Sequence, residues 1–291
     1  VRDRLTGTVP AVAALLGLVV AAAYGTADFL GGRATRVSSP WTIVLATHAI
    51  GLVAVTGYAI VLGADTLTLS DVALGAGAGL AGVAGLACLY RGLAVGRASV
   101  VAPLSAVGSA VLEVSWGLAR GERPGPVALA GVALALVAVA IVAGAPDHGA
   151  VTRVSRATEL ALGSGAAVLL GAFLVLLSGT GSGSGLWPVV ISRAAPIPLL
   201  AVGLATLRRP LRVPRADRAL VVSTGLLDAT ATALLLIAVR EDLLSLVAPV
   251  AALYPAATVL LARTVQHERV GPVRAGGLAL ALAGLALIAI R

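Results

Sequence analysis

The chain is a succession of apolar runs, each close to the length that crosses a bilayer, separated by breaks too short to hold a folded domain. Crossing a hydrocarbon layer of roughly 30 Å takes about 20 apolar helical residues, because each residue advances a helix by about 1.5 Å. Runs of that length fall near 11–30, 42–63, 71–90, 100–119, 125–144, 157–178, 187–207, 219–239, 244–262 and 271–290. The expected fold class is therefore all-α integral membrane, with about ten transmembrane helices. Turn-forming residues mark the breaks: Pro40, Pro124 with Gly125, Gly144 with Pro146, the Gly/Ser stretch 179–185, and Pro210. The first run follows Arg2 and Arg4 as a signal peptide would, but its apolar stretch continues to Leu30, so it reads as a retained helix.

Composition narrows the function classes. Only 12% of residues are charged and 59% are hydrophobic, against roughly 25% charged in soluble domains. All 21 basic residues are Arg, and the sequence has no Lys. A Walker A phosphate cradle and Schiff-base chemistry both need a Lys, so both are excluded. The net charge of +8 comes from Arg residues that punctuate apolar runs, which reads as anchoring against lipid headgroups and not as a nucleic-acid face. Cys88 is the lone cysteine, which excludes an internal disulfide, and three scattered histidines make no zinc motif. No cofactor and no metal are expected. The run Gly77-Ala78-Gly79-Leu80-Ala81-Gly82 fits a dinucleotide fingerprint by letter, but it lies inside an apolar run with no strand before it. It reads as a surface for close helix packing.

The sequence also repeats. Shifted by 146 residues, Trp41 falls on Trp187, Asp71 on Asp217, Gly79 on Gly225 and Val101-Ala102-Pro103 on Val247-Ala248-Pro249. Glu122-Arg123 likewise meets Glu268-Arg269, and Gly125-Pro126-Val127 meets Gly271-Pro272-Val273. The expected organisation is an N-terminal tail over 1–10, a first five-helix repeat over 11–149 and a second over 150–291. Five is odd, so the second repeat enters the membrane inverted relative to the first, an arrangement common in secondary transporters.

The stretch from Leu89 through Tyr90-Arg91-Gly92 to Pro103, continuing through Gly121-Glu122-Arg123 into a Gly/Ala/Leu helix, resembles the EamA-type repeat of the drug/metabolite transporter superfamily. Its counterpart over 235–290 is similar, with His267 where the first copy has Gly121. The resemblance covers nearly the whole chain. It implies a ten-helix, two-repeat carrier of a small metabolite or drug-like solute in the cell membrane of a bacterium. It does not distinguish among amino acids, sugars, nucleotide-linked sugars, cations and drugs. Family resemblance implies cytoplasmic termini, whereas Arg208, Arg209, Arg212, Arg215 and Arg218 crowd one turn on the opposite side, which the positive-inside rule would keep in the cytoplasm.

Ionisable groups inside apolar spans are costly and mark sites, relays or ion pairs. That set is Asp228, Glu113, Arg193, His48 and Asp28, with Asp228 nearest a span centre. Asp228 and Glu113 are candidates for proton coupling, and the alternative for either is a fixed ion pair with Arg193. Arg193 is a candidate for an anionic solute group, although pairing within the protein is the more economical reading. His48 is expected to make a packing hydrogen bond or to relay protons. Asp28, five residues before Arg33, reads as interfacial or as a solute contact. Tyr24, Trp116, Tyr254 and Pro255 are candidate cavity-lining residues, with Pro255 expected to kink its helix and Pro103 to sit in a first turn. The partners expected are a small-molecule solute, with protons a candidate second one, and the lipid bilayer. Two alternatives are a non-transporting membrane scaffold and a membrane-embedded enzyme, although the few interior charges show no catalytic spacing.

Overall fold

Residues 8–119, 125–144, 153–208, 212–240, 254–268 and 270–289 are described by a computed structural model. They are all-α, without a strand among them. Helices α1 (Thr8–Ala34), α2 (Pro40–Leu62), α3 (Leu69–Val95), α4 (Ala98–Ala119) and α5 (Pro126–Gly144) form the first half. Helices α6 (Arg156–Ser178), α7 (Trp187–Ala194), α8 (Pro196–Thr206), α9 (Arg218–Arg240), α10 (Tyr254–Val265) and α11 (Pro272–Ala289) form the second. Among the described residues, seven stretches are long and apolar enough to cross a membrane, and 129–142 and 272–287 are shorter apolar helices. Most of the expected run 244–262 lies outside the described residues.

Outward faces are as apolar as the interior. Val53, Ile60, Val61 and Leu199 are all exposed by more than half, on helices that bury other apolar residues inward. In water such surfaces would drive association, and in lipid they cost nothing.

Interiors of lipid-embedded bundles cannot rely on a hydrophobic gradient, so close backbone approach must supply the packing energy. Gly79 on α3 faces the Ser192 carbonyl of α7 so closely that a Cβ there would collide with it. Gly225 on α9, its repeat counterpart, faces the Thr47 carbonyl of α2. The same logic governs α1, where Gly25 packs on the backbone of Tyr254 and Thr258, and α6, where Gly171 packs on Ser109 and Leu112. The dominant pairings are α3 with α6 and α1 with α9, α4 with α6 and α1 with α10, α3 with α7 and α2 with α9, and α5 with α11. The apparent dinucleotide fingerprint is thus a helix-packing surface, as expected.

Several boundaries differ from expectation for identifiable reasons. The run 187–207 is two helices, because Pro196 lacks the N–H that would bond the Ser192 carbonyl, and the ladder breaks after Ala195 donates to Ile191. The first helix starts at Thr8, inside the expected tail. Helix α4 begins at Ala98, which puts Pro103 past the first turn, inside the helix. Pro255 is the second residue of α10 as described, and Pro249 and the residues 251–253 on which a kink at Pro255 depends lie outside the described residues.

Candidate functional site

Two clusters of buried charge join the halves. The inner one begins on α7, where Arg193 is 4% exposed and forms an ion pair with Asp228 of α9. The same guanidinium donates from Nη2 to Thr232 Oγ1 at 3.0 Å. Thr232 lies one helical turn after Asp228, so both reach Arg193 from one face of α9. The Thr232 hydroxyl also accepts from the Tyr24 hydroxyl of α1 at 3.0 Å and donates to the Asp228 carbonyl at 2.8 Å. Its one donor and two lone pairs are all used, which fixes its rotamer and links three helices.

Tyr24 also meets Tyr254 of α10 edge-on, with ring centroids 6.3 Å apart, beside the Thr258 hydroxyl that donates to the Gly25 carbonyl at 3.1 Å. One turn further along α1 comes Asp28, 6% exposed. Its carboxylate makes no hydrogen bond and no ion pair among the described residues, and the charge bearing on it is that of Asp228. Two further groups close the cluster. Tyr90 of α3 is fully buried with its ring against Gly31, and its hydroxyl feels Asp228, Asp28 and Arg193. His48 of α2 is buried near Arg193. Its Nδ1–H donates to the Val44 carbonyl at 3.1 Å, the plain packing bond of the two expected roles.

The structure thus brings together Asp228, Arg193, Asp28, His48, Tyr24 and Tyr254, and it corrects the expected roles of several. Asp28 is buried between helices, because α1 continues to Ala34: Gly31 and Gly32 let Tyr90 and Leu93 press against it and bury that turn. Asp228 is paired with Arg193. Glu113 is exposed on the outer part of α4 and stays outside the Arg193 cluster, although its charge reaches Tyr254. Trp116, 48% exposed on the same part of α4, does not line the cluster, whereas Pro255 is buried next to Tyr254. Thr232 and Tyr90 escaped sequence reasoning. The repeat itself carried a signal for them, since the residues at their repeat positions are Leu86 and Leu236.

The outer cluster lies at the helix ends. Glu159 of α6 is fully buried and takes the backbone N–H of Arg97 at 2.7 Å, its Nε–H at 3.0 Å and its Nη2. Glu268 presents both carboxylate oxygens to the first turn of α4, accepting from the N–H groups of Ala98 at 3.1 Å and Ser99 at 3.0 Å. Unsatisfied N–H groups and the positive end of the helix dipole make that turn a favourable place for a carboxylate. Arg274 of α11, 2% exposed, completes the set in the field of Arg97, Glu159 and Glu268. Arg97 and Arg274 are therefore not headgroup anchors, as their type and position in the sequence suggested. Nearby, Arg36 bonds Gln266, and burial followed by the charges of Arg153 and Arg33 holds its guanidinium below the usual range.

At the opposite helix ends, Asp71 closes a capping box with Thr68 and accepts the Gly181 N–H at 2.7 Å, tying the loop before α3 to the Gly/Ser turn after α6. Among the described residues, no group of three or more metal-ligating side chains converges.

No family model matches the chain, and no curated protein matches it. The fold recurs in a solved chain described as a crystal structure of a protein, which aligns over 95% of this chain and 96% of its own with a TM-score of 0.66 at 20% identity.

Proposed function

We propose that this chain is a multi-pass secondary transporter of the EamA type, crossing the bilayer about ten times as two inverted five-helix repeats and moving a small solute by alternating access. The observation that carries this reading is the inner charge cluster. Arg193, Asp228 and Asp28 are buried where α1 of one half meets α9 of the other, with Arg193 reaching Asp228 from α7. Inside a bundle whose outer faces are apolar, such groups are costly, and they are kept there to pair with one another or to serve a site.

The pairings support the repeat. Exchanging each helix for its repeat counterpart turns α3–α6 into α9–α1, α4–α6 into α10–α1 and α3–α7 into α9–α2, and leaves α5–α11 as it was. Two interlocked halves related in this way can rock about a midplane site without disturbing the packing within either. The polar groups break the symmetry: the residues at the repeat positions of Asp28, Asp228 and Arg193 are Leu174, Gly82 and Thr47. The scaffold is duplicated and the chemistry is not, which fits one site per chain.

Counterflow in proteoliposomes tests the reading. Vesicles preloaded with an unlabelled solute from a panel of amino acids, sugars and organic cations should accumulate the labelled compound transiently, and a trapped pH dye reports whether protons move with it. Accumulation that needs preloading identifies a carrier, whereas folded protein that accelerates no exchange would point to the scaffold reading.

A further inference from the structure

The inner cluster does not balance. Arg193 is one cation between two carboxylates, and its hydrogen bonds and ion pair go to Thr232 and Asp228. Asp28 is left as a buried carboxylate without a hydrogen bond or ion pair among the described residues. A second, independent feature points to the same place: the Tyr90 hydroxyl is fully buried, within the field of Asp28, and has no hydrogen-bond partner among the described residues. Buried polar groups left unpaired cost roughly 1–3 kcal/mol each, so a place that gathers several is one where a ligand recovers energy.

The surroundings restrict that ligand. Asp28 acts on three tyrosines, Tyr24, Tyr254 and Tyr90, drawn from three helices. Beside Tyr24 the wall is apolar, made by Val20, Ala23, Leu227 and Ala231. An anion would meet an extra carboxylate, and the guanidinium would offer it only Nε, since its Nη1 and Nη2 are taken by Asp228 and Thr232. A sugar would need a ring of donors and acceptors that leucine and alanine do not supply. A bare metal ion would need about six converging oxygens. A carboxylate beside aromatic rings and an apolar wall suits a positively charged nitrogen attached to a hydrocarbon body, through charge-assisted hydrogen bonding and cation–π attraction.

Resting on the transporter reading above, we propose that the solute is a monocationic organic amine, whose ammonium group is bound by Asp28 and the Tyr90 hydroxyl and whose body lies against Tyr24 and Tyr254. Asp28, and not the paired Asp228, is then the residue that holds the transported charge.

Calorimetric titration of the purified full chain tests this with three probes of one shape and different charge: benzylammonium, benzyl alcohol and benzoate. Benzylammonium is expected to bind at least about tenfold more tightly than the other two, the ratio set by one charge-assisted hydrogen bond. Asp28→Asn should abolish that preference, Asp28→Glu should keep part of it, and Asp65→Asn, which removes an exposed carboxylate from the loop before α3, should leave it intact. Thermal melts of the variants show whether each is folded. The proposal is overturned if benzylammonium fails to bind, if benzyl alcohol or benzoate binds as tightly, or if folded Asp28→Asn retains the preference. Exchange of a neutral or anionic solute in the counterflow assay, without benzylammonium binding, would sink the amine and leave the carrier. Absence of all exchange would sink the carrier instead.

Discussion

The two buried charge clusters join the same halves of the molecule and differ in how completely their charges are answered. In the outer cluster, Glu159 takes three donors from Arg97, and Glu268 takes two backbone N–H groups from α4. Two cations, Arg97 and Arg274, face two carboxylates. In the inner cluster one cation serves two carboxylates, and Asp28 finds no hydrogen bond or ion pair among the described residues. Balanced buried charge of the first kind fixes how two elements meet, since breaking it strands a charge away from water. Unbalanced buried charge of the second kind stores a cost that a ligand relieves. The contrast assigns cohesion to the helix ends, and it is why recognition is proposed for the interior.

That division can be broken by experiment. The largest effect is expected for Arg97→Leu, which leaves the Glu159 carboxylate buried with both guanidinium donors gone: about 3–5 kcal/mol of stability should be lost, measured by denaturant unfolding in detergent. Replacing both residues, as Arg97→Leu with Glu159→Leu, should recover much of that loss. If it does not, the pair is not a unit and the comparison fails. Gly79→Ala forces a methyl group into the Ser192 carbonyl and should cost about 1–3 kcal/mol by the same assay, a reference for damage by packing without any change of charge. Glu268→Gln keeps the shape of the α4 cap and removes its charge, for an expected loss of about 0.5–2 kcal/mol.

Tyr24→Phe removes one hydrogen bond to Thr232 and leaves the ring against Tyr254, so a loss of about 0.5–1.5 kcal/mol is expected. Asp28→Asn sharpens the comparison most, by having the smallest effect on stability. Replacing a buried carboxyl that has no partner among the described residues should leave the melting temperature unchanged or raised while exchange activity falls. A destabilisation as large as that of Arg97→Leu would show that Asp28 is structural and would place the inner cluster with the outer one.

Sequence alone determined the elements and much of the membership of the site. Hydrophobic runs of bilayer length located the helices, because lipid forces each crossing segment to satisfy its own backbone, and helix is the solution open to a single run. The offset of 146 residues indicated which helices to compare as counterparts. Charge inside an apolar run is costly enough to be visible without coordinates, and that is how Asp228, Arg193, His48 and Asp28 stood out. Sequence could not decide which partner each charge finds. Whether Asp228 or Glu113 answers Arg193 depends on how α7, α9 and α4 rotate about their axes, and helix rotation is set by the glycine contacts between helices that are far apart in the chain.

For the same reason Arg97 read as a surface anchor until the fold brought Glu159 to it across 62 residues of chain, and Arg274 until the fold placed it in the field of Arg97, Glu159 and Glu268. An arginine at the end of an apolar run has the same sequence signature whether it meets a headgroup or a buried carboxylate. Long-range packing alone separates the two, because it decides which side of a helix end is covered. Tertiary structure therefore decided the pairing of charges and, through it, left the buried Asp28 carboxyl without a partner among the described residues.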